Sequence, residues 1–431
     1  MNSVMILQLV VLFSVLFLFL FLKFPVFLSM ALSIGAYFFL FPGKLPILAI
    51  GQGIIKGLSD QNFVAVCFYF LLGDIMSNGS LGDRLVLFLQ SVVGHIHGSM
   101  AHVNILSSMV FAGVSGSSVA DTASVGAMSL NAMKKSGYPS GFSAAVTSCS
   151  AIIGPIIPPS TGLVLIAVYF GCSVRKMFLA GLVQGILMGV FEIIIVFVIS
   201  KKRNYPCGKW QGWKHVLKCA KQGLAAFLLP AIVIFCLMAG IGTVVEIGAF
   251  ACLVAVVMEI LYKEMTVKKF IKMLMRTTVM SSALLTLISL SGVFTWILSS
   301  MGVASWVAAQ VTALGASTTV VLTMCVILLL ILGCILPVSV ILYVIIPVMV
   351  PVLETLGINP LWFGVVAMLV IQMGLNTPPV GTLIYMTAQM AGCNAVEVIK
   401  EDIPFLIGLA VLVILMILFP PIVTWLPNFV I

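Results

Sequence analysis

Eight apolar runs, at about 4–22, 25–41, 62–77, 177–199, 224–242, 244–261, 282–298 and 404–426, lie close to the roughly 20 residues an α-helix needs to cross a bilayer. In lipid, every backbone N–H and C=O must find its partner within the protein, so runs of this kind are helices. The composition agrees: 62% of residues are hydrophobic and 8% charged, against roughly 45–50% and about 25% in soluble domains. The chain is therefore read as an all-α polytopic membrane protein. The first run, Val4 to Leu22, precedes the first positive residue, Lys23. It also exceeds the roughly 7–15 residues of a signal-peptide core, so it is expected to remain as a spanning helix. The net charge of +9 comes from Lys and Arg placed between apolar runs, where they face an anionic leaflet; no nucleic-acid binding is read from it. Ten cysteines lie mostly inside apolar runs with no CxxC pair, and are read as small buried hydrophobes.

Two further apolar segments are long but interrupted. Residues 141–170 are broken by GPIIPPS (154–160), and residues 361–390 by GLNTPPVG (374–381). A proline pair removes backbone donors and stops the helix, which a membrane tolerates only where the freed groups face protein or a cavity. The two breaks are related by a constant shift. Pro158 and Pro159 recur as Pro378 and Pro379, Gly113 as Gly333 and GYPSGF at 137 as GINPLW at 357, each 220 residues on. The same shift carries the run at 4–22 onto 224–242 and that at 62–77 onto 282–297. Residues 1–210 and 224–431 are accordingly read as two repeats of one design.

Orientation follows from charge. Each half is assigned five crossings, about ten transmembrane helices in all. Each also carries a pair of apolar segments around a polar tip (about 98–134 and 318–353) that returns to its starting side. One side then carries 17 Lys and Arg; the other carries four, Lys44, Lys56, Arg175 and Lys176. The positive-inside rule makes the first side cytoplasmic and puts both termini on the periplasmic face. Five crossings are odd, so the repeats are inverted. Charge alone does not separate re-entrant hairpins from full crossings, but polar tips favour two re-entrant helical hairpins that stop near the midplane.

Inverted repeats with broken segments facing one another form sites in which half-helix ends and unwound carbonyls bind an anion and its coupling cation. GVSGSSVADTASVG (113–126) suits the first tip. Ser115, Gly116, Ser117 and Ser118 offer hydroxyls, carbonyls and close backbone approach, and the following helix directs its N-terminal amides at the tip. GPIIPPS, ending in Ser160, supplies the facing break. In the second half, GCILPVS (333–339) faces GLNTPPVG, with Asn376 and Thr377 as its polar members. Small residues also serve plain helix packing, but four tip and break elements at one spacing favour a site. Asp121 has two readings side by side: an intramembrane site residue, or an acid placed in the first turn of a helix.

Other polar residues are read as structural. His95, His97 and His102 lack an acidic or Cys partner beside them and are taken as interfacial. Asp74, Asp83 and Arg84 cap or pair at a helix end. Glu192, Glu246 and Glu259 are weighed as proton carriers, a reading set below the structural one. The sequence has no phosphate-binding Walker loop, no G-x-S-x-G and no H-E-x-x-H, so ATP-driven transport and catalysis find no footing.

The stretch FAGVSGSSVADTASVGAMSLNAMKKSGYPSGFSAAVTSCSAIIGPIIPPS resembles the first hairpin and broken helix of the large membrane subunit (M subunit) of tripartite ATP-independent periplasmic, or TRAP, transporters. GINPLWFGVVAMLVIQMGLNTPPVG resembles that family's other hallmark, and the similarity extends over nearly the whole chain. The resemblance implies a sodium-driven secondary transporter of the bacterial inner membrane, with elevator-type scaffold and transport domains. It would take an organic acid, commonly a C4-dicarboxylate or sialic acid, from a soluble periplasmic binding protein (P subunit). A small four-helix membrane subunit (Q subunit) is expected as a separate chain, because no additional four-helix block lies within this sequence. No cofactor is implied beyond sodium as coupling ion.

Carried over by position, one sodium site would involve Ser115, Gly116 and Ser117 with the break from Gly154 to Pro159. The other would involve Gly333, Cys334 and Pro337 with Gly374 and Thr377. Ser115 and Ser160, with Asp121 and Asn376, are the expected substrate contacts. Many family members carry an acidic residue near the second tip, where this chain has Pro337; a carboxylate role there is in doubt. The alternatives are a stand-alone ion-coupled organic-anion transporter that needs no binding protein and, from another class, a channel or membrane-embedded enzyme.

Overall fold

The computed structural model describes residues 3–43, 46, 48–78, 81–208, 210, 212–313 and 318–430; Lys44 lies outside them, as do the side chains of Lys56, Asp83 and Ser115. The described residues are helical and contain no strand, and the protein is an all-helical polytopic membrane protein. In chain order the first half runs α1 (Ser3–Phe21), α2 (Val26–Leu40), α3 (Leu48–Leu58), α4 (Asn62–Asn78), α5 (Leu81–Val93), α6 (Ser99–Ser115) and α7 (Ser118–Asp121), then a π-turn (Thr122–Gly126), α8 (Ala127–Lys135), α9 (Ser140–Ala151), α10 (Thr161–Tyr169) and α11 (Val174–Lys202). The second runs α12 (Trp213–Ala239), α13 (Val244–Leu261), α14 (Val267–Ser300), α15 (Val303–Ala313), α16 (Thr318–Ile335) and α17 (Val338–Val340), then a second π-turn (Ile341–Ile345), α18 (Ile346–Thr355), α19 (Pro360–Gly374), α20 (Thr382–Ala391), α21 (Ala395–Leu418) and α22 (Pro421–Val430). The order of elements thus recurs, down to a π-turn after each tip and a cis X-Pro bond in each break, at Pro158–Pro159 and Pro378–Pro379.

Five helices among the described residues are long and apolar enough to cross a bilayer: those within Val4–Phe21, Val174–Lys202, Val244–Leu261, Val267–Ser300 and Ala395–Leu418. Their outward faces are apolar. Leu253 on α13 is 62% exposed and Val279 on α14 is 67% exposed. In water each such side chain would forfeit about 25 cal/mol per Å²; against acyl chains it forfeits nothing. The core is built on the opposite principle. Every residue of α9 from Gly141 to Ala151 is buried, as is every residue of α19 from Leu361 to Gly374. The first arms of the two interrupted segments are therefore enclosed by protein. α9 packs on α6, α20 and α21, and α19 packs on α16, α10, α11 and α21.

Several boundaries depart from the apolar runs for local reasons. The run at 404–426 is two helices: α21 stops at Leu418, and Phe419 leaves the helical region with φ −129° and ψ 73° before the Pro420–Pro421 pair, the direction in which a following proline biases a residue. The short helices α3, α5 and α15, of 11, 13 and 11 residues, fall below the length of a spanning run. A further difference between the halves lies at Asp60. Asp60 accepts hydrogen bonds from the Asn62 backbone N–H and its side-chain amide, both at 2.9 Å, a turn that divides α3 from α4. The matching positions in the second half, Met280 and Ser282, offer no such turn, and α14 runs unbroken for 34 residues.

Packing around the first break is tight. A Cβ on Gly181 of α11 would lie 2.7 Å from the Ile156 carbonyl oxygen and 2.4 Å from Leu163 Cδ1. Gln184, one turn on, donates to the Val365 carbonyl of α19 at 3.0 Å. Gly181→Ala is therefore expected to overpack this seam at about 1–3 kcal/mol, lowering the melting temperature of the purified protein by several degrees in a fluorescence-detected size-exclusion melt.

Candidate functional site

At the first tip, α6 ends at Ser115 and Gly116 takes a left-handed φ of +57°, a conformation that costs glycine alone nothing. Ser117 is extended and caps α7, its hydroxyl accepting from the Ala120 N–H at 3.5 Å. The tip rests on the break: a Cβ at Gly116 would lie 3.7 Å from Thr161 Cγ2 and 3.8 Å from the Pro159 carbonyl oxygen. Ser160 closes the break from the other side. Its hydroxyl donates to the Pro155 carbonyl and accepts from the Leu163 N–H at 3.2 Å, capping α10. A hydroxyl has one proton and two lone pairs, so Ser160 keeps a single lone pair for any ligand.

The second tip meets its break more closely still. A Cβ at Gly374 would lie 2.4 Å from the carbonyl carbon of Gly333 and 2.5 Å from its Cα; backbone touches backbone, and only glycine fits. The Cys334 thiol is beside the Thr377 hydroxyl, which itself donates to the Met373 carbonyl at 2.8 Å. Pro337 caps α17 and is exposed. Asn376 is fully buried; its amide reaches Cys149 Sγ at 3.4 Å, and its Oδ1 has no hydrogen-bond partner.

The two halves are joined at the tips. Ser118 donates to Gln372 Oε1 at 2.6 Å, tying the first hairpin to the second interrupted segment. A cavity of about 1230 Å³ lies between the tips. Gly116, Ser117, Gly333, Cys334 and Pro337 line it, together with Gln372; Gly154, Pro159, Ser160, Gly374, Asn376 and Thr377 stand behind that wall and do not line it. Asp121 does not line it either. Its carboxylate is fully buried and neither oxygen closes a hydrogen bond of ordinary geometry, with Ser108 of α6 nearby. Ser117 caps α7, and Asp121 stands in its first turn.

The other polar residues divide cleanly. Glu246 forms a capping box with Thr243 at the start of α13. Asp74 pairs with Arg276 at 3.3 Å, and Arg84 pairs with Glu264 at 3.6 Å while lying over the Tyr262 ring. His95 meets Trp210 edge-on and His102 is buried in α6. Among the described residues no three His, Cys, Asp or Glu gather as a metal site. The oxygens at the tips and breaks are neutral hydroxyls and carbonyls, hard donors of the kind alkali cations prefer.

Two positions escape sequence reasoning. Gln372 sits inside an apolar run. Asp402, fully buried on α21, accepts from Ser148 Oγ and Cys149 Sγ, each at 3.2 Å, and so anchors α9 just before its break. For Gln372 the available signal was a polar residue inside a run too apolar to leave it unpaired; Asp402 sits in the charged stretch EVIKED ahead of the run at 404–426, where nothing local sets it apart. Breaking the Ser118–Gln372 bond leaves a buried partner unsatisfied, at about 1–3 kcal/mol. Ser118→Ala and Gln372→Leu are each expected to destabilise the protein. Their double variant should fall well short of the sum in a thermal-melt cycle, and strict additivity would mean the bond contributes nothing.

Comparison with known proteins places this geometry. Residues 13–422 match the family described as Tripartite ATP-independent periplasmic transporter, DctM component. The chain is 30% identical over 378 residues to the sialic acid TRAP transporter large permease protein SiaM of Vibrio cholerae, covering 88% of each chain. It is 30% identical over 395 residues to the C4-dicarboxylate TRAP transporter large permease protein DctM of Pseudomonas aeruginosa, covering 90% of this chain and 92% of that one. The crystal structure of the YdaH transporter of Alcanivorax borkumensis matches the fold with a TM-score of 0.64 at 15% identity, over 86% of this chain and 87% of that one.

Proposed function

The chain belongs to the DctM-component family of tripartite ATP-independent periplasmic transporters, and from that membership we propose that it is the large membrane subunit of a sodium-coupled importer of an organic acid. The observation that carries the reading is the pairing of each tip with its break, Gly116 on Pro159 and Thr161, and Gly333 on Gly374, around one shared cavity. A cation bound between a tip and a break holds the two together by their oxygens. With both in place, hydroxyls and helix N-terminal amides are fixed around the cavity, and an anion binds. Sodium therefore creates the anion site instead of merely accompanying the anion.

Ser115 and Ser117 contribute at the first sodium site with the carbonyls from Gly154 to Pro159. Gly333, Cys334, Gly374 and Thr377 surround the second. The substrate carries a carboxylate, as do the sialic acid and C4-dicarboxylate named for the two relatives. It arrives from a periplasmic binding protein, and a small four-helix subunit holds the chain in the inner membrane with both termini periplasmic. Residues 1–210 and 224–431 act as inverted repeats, and the hairpins with the interrupted segments travel as one elevator body.

The test is uptake into proteoliposomes containing this chain and its small subunit, with binding protein and substrate outside. Accumulation should require an inward sodium gradient and collapse when sodium is absent from both sides. Equal uptake under a proton gradient alone would remove the sodium coupling, and uptake without binding protein would favour a stand-alone carrier. Ser115→Ala should raise the sodium concentration needed for half-maximal uptake; an unchanged sodium dependence would take Ser115 out of the site.

A further inference from the structure

The cavity between the tips has a second, charged region. Its lining includes Lys23, Asp74 and Arg276, the charged side chains among its described lining residues. All three lie near helix ends: Lys23 just beyond α1, Asp74 in the last turns of α4, Arg276 in the first turns of α14. These are the ends that the charge bias assigns to the cytoplasm, so the charged region is a cytoplasmic mouth. Between it and the tips stand Phe70, Met280, Leu284 and Leu287, an apolar wall along which a departing carboxylate finds no hydrogen bond.

Arg276 is placed to receive that carboxylate. Its guanidinium is 59% exposed and meets Asp74 through one nitrogen at 3.3 Å. A guanidinium carries five N–H donors in a planar fork, so a single contact leaves most of them directed elsewhere. Lys23 takes a φ of +64°, a backbone conformation that favours glycine, and its N–H and that of Phe24 close the end of α1 on Leu20 and Phe19 at 3.0 Å. That turn ends α1 beside the cavity that Lys23 lines. The 220-residue shift gives a third observation: Arg276 falls on Lys56, in the corresponding helix α3. Each half therefore carries one cation at the same place in its design, and the charge bias puts the two on opposite faces.

We propose that Arg276, supported by Lys23, is a second anion subsite, which takes the carboxylate of the organic acid at the cytoplasmic mouth, and that Asp74 competes with the substrate for the same guanidinium. A bare Arg–Lys pair would retain a carboxylate by bidentate, charge-assisted bonds. Asp74 returns to Arg276 as the substrate leaves, so release exchanges one carboxylate for another. This rests on the proposed organic-anion transport, and it concerns exit, not the tip site or sodium.

The test uses this chain with its small subunit in proteoliposomes of known orientation, with the binding protein on the periplasmic side and succinate and N-acetylneuraminate as probes. Arg276→Gln should raise the half-saturating concentration on the cytoplasmic side, read by counterflow, about tenfold or more, and leave the periplasmic value and sodium dependence within about twofold. Arg276→Lys should recover part of the loss. Asp74→Asn should lower the cytoplasmic half-saturation and slow net uptake, because the anion is held. If the Asp74–Arg276 pair merely fastens α4 to α14, both variants shift the two faces alike or shift neither, and the proposal is overturned. Should the unaltered protein accumulate neither probe, the transport reading fails. The mouth is then judged by whether succinate protects the unaltered protein, but not Arg276→Gln, against heat; equal protection or none overturns it.

Discussion

A helix interrupted inside a membrane leaves backbone groups that lipid cannot satisfy, and the architecture is organised around that debt. Each break is closed by its own side chains and by a hairpin tip laid against it. Ser160 spans the first break from Pro155 to Leu163. Gly374 brings backbone against the backbone of Gly333 where a Cβ would intrude, and Gly116 turns the first tip against Thr161 and Pro159. α9 from Gly141 and α19 from Leu361 are buried for the same reason: an interrupted helix has to be surrounded. The outer helices provide the surround, and their own apolar faces are left to lipid.

This arrangement makes the site and the fold depend on the same contacts. Ser118 is part of a tip and also donates the hydrogen bond to Gln372 that joins the two halves. Asn376 belongs to the second break and reaches Cys149 just ahead of the first, while Cys149 donates to Asp402 on α21. The first tip is therefore tied to both interrupted segments through bonded neighbours. The coupling between distant parts of the sequence, 254 residues apart for Ser118 and Gln372, is carried by a few buried polar side chains in an otherwise apolar interior.

Most of the architecture was legible because membranes simplify the problem. Apolar run length gave α1, α2, α4, α11 and α13 to within a few residues, and the proline pairs marked both breaks. The tips could be located because Gly and Ser are conspicuous among Leu and Ile. Short helices such as α3 and α5 were not legible, since a run of 11 or 13 residues leaves too little periodic signal. Gln372 and Asp402 were missed because their importance lies in partners far along the chain. Asp121 was visible as an oddity, yet capping and binding both put an acid there. The structure puts it in the first turn of α7 behind the Ser117 cap, with its carboxylate buried and off the cavity lining.

The turn at Asp60 makes the two halves mechanically unequal. α14 is a single rod of 34 residues, about 51 Å at 1.5 Å per residue, so tilting one end moves the other by leverage. Its counterpart is jointed, with 11 residues in α3 and 17 in α4 on either side of the bend, and a joint absorbs rotation that a rod transmits. One arm of the molecule is built as a crank and the other as an elbow.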